Sequence, residues 1–224
     1  MKITWLGQAG LLFDTGDCRV MVDPYLSDSV GITQPEKHRR QPVDEGIFNI
    51  KPDVMIFTHN HLDHYDPETV RRFISEQSSI TVLAPRSVWE DVRLIGGKNN
   101  FVLFERGTQW TECGLQFTAV MAAHSDECAI GVIIEQGGRR YYLTGDTLYN
   151  DGIFADLPGD IYAVFLPING VGNNMNMADA ARFARRVGAE RVVPLHFGMF
   201  DDIDPREFIC DNRVIPAIYK EIEL

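Results

Sequence analysis

The stretch FTHNHLDHYD, Phe57 to Asp66, places His59, His61 and His64 within six positions, with Asp63 between the last two. The chain has six histidines in all, so half of its imidazoles sit here. Imidazole nitrogen and carboxylate oxygen suit zinc, and also manganese or iron. A single histidine is more often a satisfied core or surface residue than a ligand. Three in so short a span, beside an aspartate, are hard to assign to a His-rich surface loop and point to metal chemistry. In an extended stretch, positions i and i+2 face the same way, so His59 and His61 can grip one cation. The chain then turns, and Asp63 and His64 can face a second.

Only His38, His124 and His196 remain outside this stretch. His124 ends FTAVMAAH, His196 follows RVVPL, and Asp146 follows YYLTG. Each stands at the end of a β-prone run, where sheets of α/β type present ligand-binding groups. Gly145 would let the backbone come close to a metal. Taken singly, each has a plain structural explanation: a strand-end histidine can simply hydrogen-bond, and Gly-Asp is a common turn. Together, five histidines and two aspartates make a full set of ligands for two metals.

Strands and helices must position these groups. The chain opens as a hairpin, KITWL and GLLFD, followed by the turn TGD and CRVMVD. VMIF, Val54 to Phe57, is short, apolar and uninterrupted, as a strand buried on both faces requires. Asp66 is a good N-cap, Pro67 suits the first helical position and Glu68 favours the positive end of the dipole. Val70, Phe73 and Ile74 then recur at helical spacing. ITVLA is the next strand. Ser87 and Glu90 form a capping-box pattern for a helix that Gly96-Gly97 ends. LQFTAVMAA, AIGVIIE, RRYYLT, IYAVFLPI and RVVPLHF are further strands, with QGG as a turn. Asn176 caps a helix through MADAARFARRV, which Gly188 terminates. Strand pairs mixed with strand–helix units predict an α/β (α+β) protein with two mixed sheets and helices outside, one domain over residues 1–224. The segment from Ser27 to about Asn49 shows neither period, and such a loop is usually functional or mobile.

Composition narrows the partners. The chain has 224 residues, 45% hydrophobic, enough for one well-buried domain. No apolar run approaches the roughly 20 residues of a membrane span. The start, MKITWLGQAGLLFD, is a first strand rather than a signal peptide. Cys18, Cys113, Cys128 and Cys210 are scattered and form no CxxC pair, which suits reduced thiols in a cytoplasm. The net charge of −11 argues against nucleic acid, which needs Lys and Arg for counterion release. A small-molecule substrate is the expected partner, and a homo-oligomer is compatible with everything above.

THNHLDH matches the HxHxDH signature of the metallo-β-lactamase superfamily, and His124, Asp146 and His196 follow in the order that superfamily uses. The resemblance runs from ITWLGQAGLLF and VMVDPY to PLHFG. These flanking phrases are similar to small metal-dependent hydrolases of the L-ascorbate-6-phosphate lactonase type. The resemblance implies a four-layer αββα sandwich with two metals at one edge. It implies that His59, His61 and His124 hold the first metal, that Asp63, His64 and His196 hold the second, and that Asp146 bridges them. Zinc is the first expectation for both ions, with manganese or iron as alternatives.

Two divalent ions sharing one water would lower its pKa and supply a bridging hydroxide. No GxSxG elbow is present, in keeping with that chemistry. Asp63 is the side chain to orient the hydroxide or move a proton, besides serving as a ligand. Asp23, in VMVDPY, is a candidate to accept the second N–H of a ligating histidine, or else a turn residue before Pro24. Ser125 and Asp126 raise the same question. EKHRR, Glu36 to Arg40, is the one basic cluster. Its His38, Arg39 and Arg40 are candidates to bind an anionic group at the pocket mouth, against the more common solvated loop. Asn173, Asn174 and Asn176 either line the pocket or cap a helix, and Trp5 and Trp110 belong to the core. The leading expectation is a dinuclear hydrolase of a small ester or lactone. A phosphodiesterase on a small substrate is the alternative enzyme, and a non-catalytic metal-binding or sensing protein is the alternative of another class.

Overall fold

A computed structural model describes residues 1–224. Two six-stranded sheets face each other. The first runs in chain order: β1 Lys2–Gly7, β2 Gly10–Asp14, β3 Arg19–Val22, β4 Val54–Ile56, β5 Thr81–Ala84 and β6 Asn100–Leu103. Its first three strands are antiparallel and the rest parallel. The second comprises β7 Gln109–Glu112, β8 Leu115–Met121, β9 Ile130–Gln136, β10 Arg139–Leu143, β11 Ile161–Pro167 and β12 Arg191–Leu195. Here β7 to β10 form an antiparallel meander, while β10, β11 and β12 are parallel.

The two-residue period of a strand sorts side chains between two apolar layers. In β2, Leu11 and Phe13 enter the large core between the sheets, while Leu12 joins a second cluster on the outer face. In β3, Val20 and Val22 face in and Met21 faces out; in β4, Val54 and Ile56 face in and Met55 faces out. Four helices follow in chain order: α1 Ser29–Thr33, α2 Pro67–Phe73, α3 Arg86–Val92 and α4 Met177–Val187. Val70 and Phe73 of α2 and Val88 and Val92 of α3 complete the outer cluster on the first sheet. On the second sheet, Tyr141 meets Phe13 across the interior at 6.3 Å, while its neighbour Tyr142 points the other way to Phe183 of α4 at 6.3 Å. The order of layers is helix, sheet, sheet, helix, as the resemblance implied.

Local chemistry places the helix that follows the histidine cluster. Asp66 accepts from the backbone N–H groups of Glu68 and Thr69, and Pro67 takes the first helical position. Such a cap contributes about 1 kcal/mol. Asn176 caps α4 through the Asp179 N–H, and Gly188 ends it in the left-handed region at φ 71°. The start of α3 differs from the capping-box expectation. Pro85 precedes the helix, no side chain caps it, and the Ser87 hydroxyl donates to Asp126 at 2.6 Å instead. The segment 27–49 also differs, because it holds short helical pieces at Ser29–Thr33, Pro35–Lys37 and Glu45–Asn49. These pieces are too short for the helical period to show. No helix is long and apolar enough to cross a membrane.

Candidate metal centre

The strands β4, β8 and β10 each stop three residues before the expected ligands, and β12 stops one residue before. The short connectors gather all seven groups at one edge of the sandwich. His59, His61, His124 and Asp146 form one group, and Asp63, His64 and His196 another, with the ligand atoms of each group within 4.8 Å of one another. The rings of His59 and His64 are 4.1 Å apart and link the groups. Asp146 lies between them as well. Its Oδ1 is 3.2 Å from His64 Nε2 and its Oδ2 is 3.2 Å from His196 Nε2.

Each imidazole is steered from its far side. His64 Nδ1 lies 2.8 Å from Asp23 Oδ2. His59 Nδ1 is 3.0 Å from the Thr58 hydroxyl, which itself donates to Asp23 Oδ2 at 2.5 Å. One fully buried aspartate thus reaches two histidines, His64 directly and His59 through Thr58. His124 Nδ1 faces the Asn173 carbonyl at 3.3 Å, and Asn169 meets His196 Nδ1 at 3.0 Å. Asn169 Oδ1 is buried without a partner. Turning that amide over would give Oδ1 the Nδ1 proton of His196 and leave Nε2 free as a ligand. His61 has the opposite orientation. Its Nδ1 is 3.1 Å from His124 Nε2, and its Nε2 lies 3.4 Å from the Ser125 hydroxyl. Asp126 serves the scaffold, accepting from Asn60 N, Ser87 and Cys128 N.

The donor set fits divalent metal. His59 Nε2 is buried with no hydrogen-bond partner although it points at the cluster, and His64 Nε2, equally buried, faces the Asp146 carboxylate. Leaving a buried polar atom unpaired costs about 1–3 kcal/mol, and coordination would remove that cost. The charges differ between the groups. Burial, together with the neighbouring imidazoles, pushes His59 well below its ordinary value, and burial lowers His124 as well. Burial also works against protonation of His64 and His196, but the carboxylates override it. Asp146, Asp23 and Asp63 hold His64 well above its usual value, and Asp146 with Asp63 pushes His196 up to about 9. Burial tends to raise Asp63 and Asp146, yet His64 and His196 keep both below the ordinary carboxylate range.

A cavity of about 410 Å³ opens onto His61, Asp63, Asp146 and His196. Val30, Leu62, Val171 and Phe200 give it an apolar wall, and Gln34, Lys37, Asn169 and Asn174 a polar one. His38, Arg39 and Arg40, expected at this mouth, do not line it. His38 Nδ1 sits 2.7 Å from Asp28. Arg39 donates to Tyr25 O, Gln41 O and the Tyr219 hydroxyl, and Arg40 pairs with Asp202. These contacts hold the early loop against later parts of the chain. Lys37, immediately before His38 in the same run, is the cation that reaches it.

The other candidates separate cleanly. Asn174 donates to Asp146 Oδ2 at 2.8 Å, whereas Asn176 only caps α4. Gly145, at φ 61°, approaches protein rather than the metal edge: a Cβ there would lie 2.8 Å from Ile130 O and 3.1 Å from Thr58 Cβ. Trp5 is buried against Phe197, and Trp110 packs on the core from its edge. Tyr65 packs edge-on to Phe57 and donates to Asp91 at 2.5 Å. Three site residues escaped the sequence reading: Gln8, Thr58 and Asn169. Asn169 follows β11, the remaining strand end of the parallel set, and Gln8 sits between glycines in LGQAG. Both positions carry a signal in hindsight.

Residues 18–197 match the model of the "Beta-lactamase superfamily domain". A UPF0173 metal-dependent hydrolase of Methanosarcina mazei is 28% identical over 227 residues, covering 93% of this chain and 89% of the relative. One of Rubrobacter xylanophilus is 28% identical, covering 92% and 86%. Among solved structures, an isothiocyanate hydrolase from Delia radicum gut bacteria superposes with a TM-score of 0.78 at 19% identity, covering 100% and 99% of the two chains. A possible metal-dependent hydrolase from Veillonella parvula gives 0.81 at 16% identity, again over 100% and 99%. These structures share the fold. The match over residues 18–197 includes all seven ligand-type residues of the edge cluster, and the chain belongs to the β-lactamase superfamily.

Proposed function

We propose that this protein is a metal-dependent hydrolase that cleaves a small ester or lactone with two divalent ions, zinc in the first instance. The observation that carries this reading is the buried, unpartnered Nε2 of His59 within a ligand-type cluster beside an open cavity. His59, His61 and His124 would hold one ion and Asp63, His64 and His196 the other, with Asp146 shared. When bound, the ions would acidify a shared water and polarise the carbonyl of the substrate. The chain does the rest. Asp63, whose side chain lines the cavity, accepts the proton of the attacking water and passes it to the leaving oxygen. Asn174 keeps Asp146 aligned through Nδ2. Val30, Leu62, Val171 and Phe200 shed water around the substrate body, and Lys37 holds an anionic group at the rim. The net charge of −11 keeps nucleic acid out of the substrate class.

Lys37 favours one second reading, a small phosphodiester whose charge it would meet. A panel of lactones, aryl esters and bis-aryl phosphodiesters, run with zinc- and manganese-loaded protein, tests both. Faster turnover of lactones or esters is the expected result. Faster phosphodiester cleavage would favour the second reading. Two bound metals with no turnover of any substrate would favour a metal-sensing protein on this fold.

A further inference from the structure

Gln8 occupies the corner between β1 and β2 at φ 51°, in the left-handed region that side chains other than Asn and Gly seldom adopt. Its exposure is 1%. Both of its polar ends are spent on the edge cluster. The side-chain amide donates to Asp63 Oδ2 at 2.7 Å, and its nitrogen stands 3.1 and 3.0 Å from the two ring nitrogens of His196. The backbone carbonyl accepts from His196 N at 3.1 Å and from Trp5 Nε1 at 3.0 Å. His196 is itself left-handed, at φ 60°. Two unfavourable backbone positions, one from each sheet, are therefore locked to each other.

The amide has only one sensible orientation. With the oxygen turned inward, Oε1 would face the Asp63 carboxylate at hydrogen-bond distance with no proton to share. With nitrogen inward, the donor occupies an Asp63 lone pair and leaves the rest of that carboxylate for a cation. The contact touches Asp63 and His196 but none of His59, His61 or His124.

We propose that Gln8 is a positioning residue for one metal only, the ion held by Asp63, His64 and His196. This rests on the two-metal reading above. Partners that orient metal ligands typically govern affinity by about 10–100-fold. Gln8→Met keeps the length and removes the donor. Gln8→Asn keeps a residue that tolerates positive φ but shortens the reach, and so separates the turn from the amide.

The test is a zinc titration of wild type and both variants, scored as ions per chain, with melting of each metal-free protein alongside. Wild type is expected to take up two ions. Both variants are expected to take up the first with wild-type affinity and the second at least about tenfold more weakly. A merely structural role would lower the melting temperature and weaken both ions alike. That result, or two wild-type affinities in the Asn variant, overturns the proposal. Wild type that binds no zinc would overturn the proposed function first and this inference with it, so the two failures are told apart.

Discussion

The two ligand groups at the sandwich edge are built from similar side chains and treat charge in opposite ways. His59, His61 and His124 form a half that is partly open to solvent, and burial biases His59 and His124 towards the neutral form a metal needs. In the half formed by Asp63, His64 and His196, the two imidazoles face carboxylates that favour their protonated form, Asp63 itself and the neighbouring Asp23 and Asp146. The contrast follows from placement. The first three histidines mostly see one another, whereas His64 touches Asp23 and Asp146 and His196 touches Asp63 and Asp146. A metal can enter the first half without displacing protons at neutral pH, while entry to the second competes with them.

The strongest way to break this contrast is to remove what the halves share. Asp146→Asn weakens both ions by more than the roughly 10–100-fold typical of an outer partner, and hydrolysis falls with them. Metal content per chain and kcat/KM on the best panel substrate check this. If only one ion is lost, Asp146 is not shared. Asp23→Asn is next. It weakens the hold on His64 directly and on His59 through Thr58, so both affinities fall by about 10–100-fold.

A pH series sharpens the comparison. His64 and His196 carry raised values in the metal-free fold, so their contribution to stability is full below the ordinary imidazole value of about 6.5. It is lost as pH rises through about 9, the value for His196. Melting of metal-free protein is expected to fall over that window, while metal affinity rises because fewer protons compete. Parallel trends in the two would contradict the charge assignment. The smallest effect lies at the rim. Lys37→Met is expected to raise KM several-fold for anionic substrates with kcat unchanged, whereas Arg40→Ala leaves KM as it is. Equal effects of the two would remove the distinction between Lys37 and its neighbours.

The sequence carried the ligand-type residues of the edge cluster far better than their supports. His59, His61, Asp63 and His64 are legible because they crowd one stretch, and His124, Asp146 and His196 because each ends an apolar run. The uninterrupted apolar run VMIF likewise foretold a strand buried on both faces. Gln8 was invisible for a physical reason: its meaning lies in contacts with Asp63 and His196, 55 and 188 positions away. Thr58 and Asn169 act through the same kind of distant pairing. His38, Arg39 and Arg40 misled because a basic run gives charge without direction, and Asp28, Tyr219 and Asp202 turn it away from the cavity.

The central claim, two ions held in two unlike halves, is most directly tested by calorimetric titration of metal-free protein with zinc at pH 7, repeated in two buffers of different ionisation enthalpy. The expected result is two ions per chain, the first with a heat independent of buffer and the second with a buffer-dependent heat that reports proton release. A single ion per chain, or identical buffer dependence for both, would contradict it.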